Sequence, residues 1–208
     1  MIDLEGPVQV TRSYDTLLSK GEDRRQQIVA AAQRMLTRNG WRGTTIAQIA
    51  QEVGVTPAGL LYHFSSKEQL LHAVLDARDA DDDERADRTG DLAEEIRKAA
   101  CRIEQSPGLV GTFVVMLVEN LMPDAPLHGR LLDRWRLSVE IVAESIRSQQ
   151  RSGRYRKDVD ASVRAVEIVA FINGMEISWL LDRSISLGDV FAEYSRSLER
   201  DLAAVGVK

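Results

Sequence analysis

Tyr62, His63 and Lys67 bring a phenol, an imidazole and an ammonium into one short stretch of chain. Thr44, Thr45 and Thr56 add hydroxyls nearby, and Arg42 a guanidinium. Between them Pro57, Ala58 and Gly59 carry almost no side chain, so a partner can come close to the backbone there. These groups suit hydrogen bonding to phosphate oxygens. They do not suit catalysis. His63 has no acid or nucleophile at triad spacing, and His72 and His128 are scattered. Cys101 is the single cysteine, which excludes an intramolecular disulfide and a cysteine metal site. The acids after Asp76 lack the glycine-containing loop spacing of a calcium hand. No catalytic residue, cofactor or metal is expected.

The elements that must position these groups read clearly. Thr45 caps a short helix, and Gln48 stands at the reciprocal position of a capping box. Ile46, Ile49, Ala50 and Val53 give that helix one apolar face. Gly54 ends it, since glycine accepts the left-handed exit conformation. Thr56 caps the next helix, with Pro57 at its first position. Leu60, Leu61 and Phe64 anchor that helix. Ser66 then opens another, with Gln69 at the box position. Before all of these, Ile28, Ala31, Ala32, Met35 and Leu36 mark a helix over 22–39. Two short helices joined by a glycine turn and packed on a longer one describe a helix-turn-helix. Its second helix lies in the DNA major groove.

Thr44–Thr45, Ile49–Ala50, Gly54–Val55, Tyr62–His63–Phe64 and Ser66–Lys67 together resemble the N-terminal DNA-binding domain of the TetR family of transcriptional regulators. Many members carry a tyrosine where this chain has Leu61, with Tyr62 as the neighbouring aromatic position. The resemblance implies contact with double-stranded operator DNA through Arg42, Thr44, Thr45, Thr56, Pro57, Ala58, Gly59, Tyr62, His63 and Lys67. It further implies a homodimer formed by the last two long helices, and a repressor that a small molecule releases from a pseudo-palindromic operator.

The 208 residues allow one or two domains. The formal net charge is −5, which is unusual for a DNA binder, but it is unevenly spread. Residues 22–72 carry Arg24, Arg25, Arg34, Arg38, Arg42 and Lys67 against Glu22, Asp23, Glu52 and Glu68, a surplus of cations. Local charge near the phosphates governs counterion release. The run from Asp76 to Glu95 is strongly acidic and reads as a solvated helix end or loop. No apolar run approaches the roughly 18 residues of a membrane span, and a cytoplasmic location is expected.

We expect an all-α chain of about nine helices. The divisions are a mobile tail over 1–20, a helix-turn-helix domain over 21–67 and an effector-binding and dimerisation domain over 68–208. Two helices of the last part are apolar nearly all round: the one opened by Ser106–Pro107 and the one opened by Asp160. Such helices line a cavity or an interface. The candidate effector residues are Phe113, Met116, Glu119, Asn120, Met122, Trp135, Phe171, Asn173, Met175, Glu176 and Trp179. An apolar pocket with a few polar groups fits an unidentified, largely apolar small molecule. Two alternatives are a protein-interaction module without DNA binding and an all-helical enzyme. The missing tyrosine at Leu61 favours the first over the second.

Overall fold

The computed structural model describes residues 10–40, 42–85 and 91–204, with side chains from residue 21 onward except those of 81–85. The described residues form nine helices: α1 (Val10–Asn39), α2 (Ile46–Glu52), α3 (Pro57–His63), α4 (Lys67–Arg85), α5 (Leu92–Gln105), α6 (Pro107–Glu119), α7 (His128–Arg151), α8 (Ala161–Leu181) and α9 (Leu187–Leu202). The one β-type pairing among them is an isolated bridge between Tyr155 and Ala203. No described helix is long and apolar enough to cross a membrane.

The chain divides into two compact units, Met1–Val74 and Leu75–Lys208. The division falls inside α4, seven residues past the expected 67/68 boundary. One continuous helix serves both units, and a helix start is therefore not a domain start. The expected tail over 1–20 also needs correction. Residues 1–9 lie outside the described residues, but α1 begins at Val10. Gly21 sits within α1 and does not break it, because a lone helical glycine costs only about 1 kcal/mol.

In the first unit Ile28, Ala31, Ala32 and Leu36 of α1 are buried, as are Ile49 and Ala50 of α2, Leu60 of α3, and Phe64. Local hydrogen bonds set the ends of the short helices. Thr45 and Gln48 form both halves of the capping box. Thr56 Oγ1 accepts from the Gly59 N–H at 3.0 Å, with Pro57 at the first position. Gly54 has φ +69°, the left-handed exit that a side chain would strain. At α4 the box is split. Ser66 Oγ accepts from Gln69 N–H, but Gln69 Oε1 accepts from Ser65 N–H instead of Ser66 N–H.

Two successive arginines of α1 tie down the other ends. Arg24 donates to Val53 O, the C-cap of α2, at 3.4 Å. Arg25 donates to His63 O at the end of α3 at 3.1 Å and lies 4.3 Å over the Phe64 ring. Both cations thus meet the negative ends of helix dipoles. Arg25→Ala is expected to destabilise this unit by about 1–2 kcal/mol, read as a lower midpoint in thermal unfolding followed by circular dichroism. An unchanged midpoint would show the bond contributes nothing.

In the second unit α5 packs on α9 and α7 on α8. Leu92, Ile96 and Ile103 of α5, Ile146 of α7, Ile168 of α8, and Phe191, Leu198 and Leu202 of α9 share its core. Asp91, Asp160 and Ser186 cap α5, α8 and α9 through their side chains. Asp91 reaches Ala93 N–H at 3.0 Å.

Candidate functional site

The expected recognition helix is α3, and its N-terminal end is open. Thr56, Pro57 and Ala58 are exposed, and Gly59 is half-buried. Tyr62 is 87% exposed, an unusual state for an aromatic ring in a monomer's own fold, and Leu61 beside it is 43% exposed. The Tyr62 ring stands edge-on to His63, centroids 5.4 Å apart. His63 and Lys67 are half-buried. Arg42 and Thr45 are exposed on the approach to α2. A face of small residues flanked by a phenol, an imidazole and cations can enter a groove and hold its phosphate walls.

Thr44 does not belong to that face. It is fully buried, and its hydroxyl donates to Gly40 O at 2.8 Å, closing the turn after α1. A threonine in a turn satisfies local backbone before it reaches a partner. Arg34 is likewise occupied, with Glu52 at 3.4 Å.

The effector candidates separate into groups. Phe113, Met116, Asn120, Glu176 and Trp179 are buried. Glu119, Phe171, Asn173 and Met175 are half-buried. Trp135 is 37% exposed and Met122 67%, so the expectation that both line an interior is overturned. Met122 follows the end of α6, where the chain leaves the core. Phe171 stacks on Tyr194 with centroids 3.7 Å apart and lies 5.1 Å from Phe191, which makes it part of the α8–α9 packing. Asn120 is also structural. Its Nδ2 donates to Met116 O and its Oδ1 accepts from Leu127 N–H, so it closes the turn between α6 and α7.

Glu176 has a partner the sequence did not reveal. Arg78 Nη2 lies 3.0 Å from Glu176 Oε1, and both residues are buried. The Arg78 guanidinium covers the Phe113 ring at 3.7 Å, and Arg134 approaches the same ring at 5.4 Å. Burial first, and then the Arg78 charge, pull the Arg134 guanidinium down to about 10, with Glu176 opposing. Arg130 bridges Asp76 at 2.6 Å and Asp79 at 2.8 Å, and Asp79 also pairs with Arg134. The reading of the acidic stretch as simply solvated is therefore corrected at Asp79, whereas Asp76 stays exposed. Residues 86–90 lie outside the described residues.

The model of the family described as bacterial regulatory proteins, tetR family, matches residues 28–74, the stretch that holds α2 and α3. The HTH-type transcriptional regulator TtgR of Pseudomonas putida is 26% identical over 193 residues, covering 82% of this chain and 88% of that protein. Residues 28–74 of this chain thus carry a tetR-family DNA-binding domain. The HTH-type transcriptional repressor AcnR of Corynebacterium diphtheriae is 26% identical over 151 residues, covering 73% of this chain and 78% of its own length. Among solved structures, that of AibR in complex with isovaleryl coenzyme A and operator DNA superposes with a TM-score of 0.68. It is 18% identical, with 84% of this chain and 97% of that one covered, and so speaks for the fold. This chain is a DNA-binding transcriptional regulator of helix-turn-helix type.

Two residues of the regulator escaped the sequence reading. Gly43 gave no signal beyond its type, yet a Cβ built there would lie 2.3 Å from Asn39 O. Arg78 was hidden inside an acidic run. Its position three residues after Leu75, in line with the apolar stripe of Leu71, Val74 and Leu75, was the available clue.

Proposed function

We propose that this regulator is a homodimeric repressor that a small molecule releases from a pseudo-palindromic operator. Each α3 would enter one of two successive major grooves, roughly one helical turn of DNA apart. The observation that carries the reading is the open N-terminal end of α3, with Thr56, Pro57 and Ala58 exposed and Tyr62 beside them. Ala58 and Gly59 suit apolar contact with thymine methyl groups and readout of DNA shape.

The dimer reading draws on α8. Val163 is 57% exposed, Val166 40%, Ile177 45% and Leu181 89%, and they fall on one side with Ala170 and Gly174 between them. A stripe of that kind, with small residues at its middle, suits close approach by a second helix. The exposed side chains of α9 are charged instead: Asp189, Glu193, Arg196, Arg200 and Asp201. We therefore assign more of the interface to α8 than to α9. That AcnR is a repressor and that AibR binds isovaleryl coenzyme A and operator DNA agree with this function. The effector acts only through its different affinity for the DNA-bound and released forms.

The test is fluorescence anisotropy with duplex DNA from immediately upstream of the coding region, against a scrambled duplex, over a series of salt concentrations. Tight binding above the scrambled control, falling steeply with salt, is the expected result. No binding to either duplex at low salt would overturn the function. Lys67→Ala should weaken binding to both duplexes and lower the salt slope by about one, as expected for one lost phosphate contact. An unchanged slope would remove Lys67 from the interface.

A further inference from the structure

Leu61 departs from what its residue type suggests. The sequence pattern marks it as an anchor of α3 beside Leu60 and Phe64, but those two are fully buried and Leu61 is 43% exposed. Ala58, Leu61 and Tyr62 stand at i, i+3 and i+4, so they share one face of the helix, opposite Leu60 and Phe64. Both ends of α3 are held. Thr56 Oγ1 accepts from the Gly59 N–H, and Arg25 donates to His63 O. The outer face therefore has a set position, and it presents a methyl, an isobutyl group and a phenol. We propose that Leu61 is a specificity-determining residue that reads the C5-methyl group of a thymine in each half of the operator. The inference rests on the reading of α3 as the helix that enters the major groove, and it deepens that reading.

The chemistry of the base edges decides what such a face meets. In the major groove, Arg or Lys reads guanine, Asn or Gln reads adenine, and Asp or Glu reads cytosine. None of those types stands on the outer face of α3. The thymine methyl is the one apolar group that a base offers there. A phosphate oxygen pressed against an isobutyl group would lose water and gain no donor in return. A thymine methyl and Leu61 both leave water when they meet, which favours the contact. The Tyr62 hydroxyl suits the phosphate wall instead, with its ring edge-on to His63. Ala58 shares the apolar character of the face, but its side chain ends at Cβ, and that of Leu61 reaches two bonds further. A tyrosine at position 61 would bring a hydroxyl to this place, and leucine removes that option.

The test starts from the full chain and a pool of random duplexes, from which repeated selection on the protein yields its preferred site. A fixed thymine in each half-site is the expected result. Thymines of the selected duplex are then replaced one position at a time by deoxyuridine, which removes only the methyl group. Affinity is read by fluorescence anisotropy. At the position read by Leu61, the unaltered chain should bind about fourfold more weakly for each half-site replaced, the effect of one buried methyl. Leu61→Ala should bind the thymine and uracil forms of that position equally, while replacements elsewhere keep their effect. Leu61→Met, with an apolar chain of similar reach, should keep the preference for thymine. Indifference of the unaltered chain to uracil at every position would overturn the inference and leave its DNA binding standing. An unchanged thymine preference in Leu61→Ala would overturn it as well. Loss of all duplex binding in Leu61→Ala, far more than one methyl accounts for, would make Leu61 structural and overturn the inference. No enriched sequence from the pool would overturn it together with the reading of α3.

Discussion

Gly43→Ala is expected to cost the DNA-binding unit roughly 2–3 kcal/mol and to weaken operator binding at least about tenfold. The new Cβ would lie 2.3 Å from Asn39 O and 3.2 Å from Asn39 C. Both are backbone atoms at the end of α1, so no side chain can rotate away. The turn itself must open. That turn is already closed by the Thr44 hydroxyl on Gly40 O, and Gly40 holds φ +68°. Opening it moves Thr45, the cap of α2, and α2 is the helix on which α3 packs. A second glycine provides the comparison. At Gly54 the φ of +69° strains any side chain, but a Cβ there meets nothing within 4 Å. Gly54→Ala should therefore cost only about 1–2 kcal/mol. Thermal unfolding of both variants, with anisotropy on the upstream duplex, reads the order directly. A smaller effect at Gly43 than at Gly54 would mean that the turn yields more cheaply than the close approach to Asn39 implies.

The contrast between these glycines shows what could be read from the chain alone. Gly54 was legible because a helix exit is local. The periodic face of α2 stops, a glycine follows, and Thr56–Pro57 restarts the chain. The same local logic gave the Thr45–Gln48 box and the small residues at the start of α3. Gly43 was not legible, because its constraint comes from a carbonyl on the preceding helix and leaves no mark in periodicity. The unit boundary was missed for a related reason. Leu70, Leu71, Val74 and Leu75 form one uninterrupted stripe, yet the division falls between the last two.

The regulatory unit was readable only in outline. Asn173 and Glu176 are the candidates that burial would oblige to find polar partners; Asn173 is half-buried, whereas Glu176 and Asn120 are buried. The partners proved to be of two kinds. Those of Asn120 are backbone groups within a few residues. That of Glu176 is Arg78, 98 positions away. A pairing over that separation depends on how α4 and α8 pack, and spacing in sequence carries no trace of it. Trp135 and Met122 failed for the complementary reason, since apolar type predicts burial only when the helix face is known.

The Arg78–Glu176 pair should be costly to break and cheap to replace. Arg78→Met alone leaves a carboxylate that is 5% exposed with its nearest cation gone, and Glu176→Leu alone leaves two guanidiniums on one ring. Breaking one side of a buried pair typically costs about 3–5 kcal/mol. Glu176→Leu should be the worse of the two. Arg134 remains to attract Glu176 when Arg78 is lost, whereas the two arginines repel once Glu176 is lost. The double variant Arg78→Met with Glu176→Leu removes both charges, and it should return to within about 1 kcal/mol of the unaltered protein or exceed it. A double-mutant cycle on the unfolding transition of the second unit measures this coupling. If the two single losses simply add, the residues are not energetically paired and the 3.0 Å contact is incidental. If the double variant is as stable as expected, an apolar core would have served the fold as well as the ion pair does.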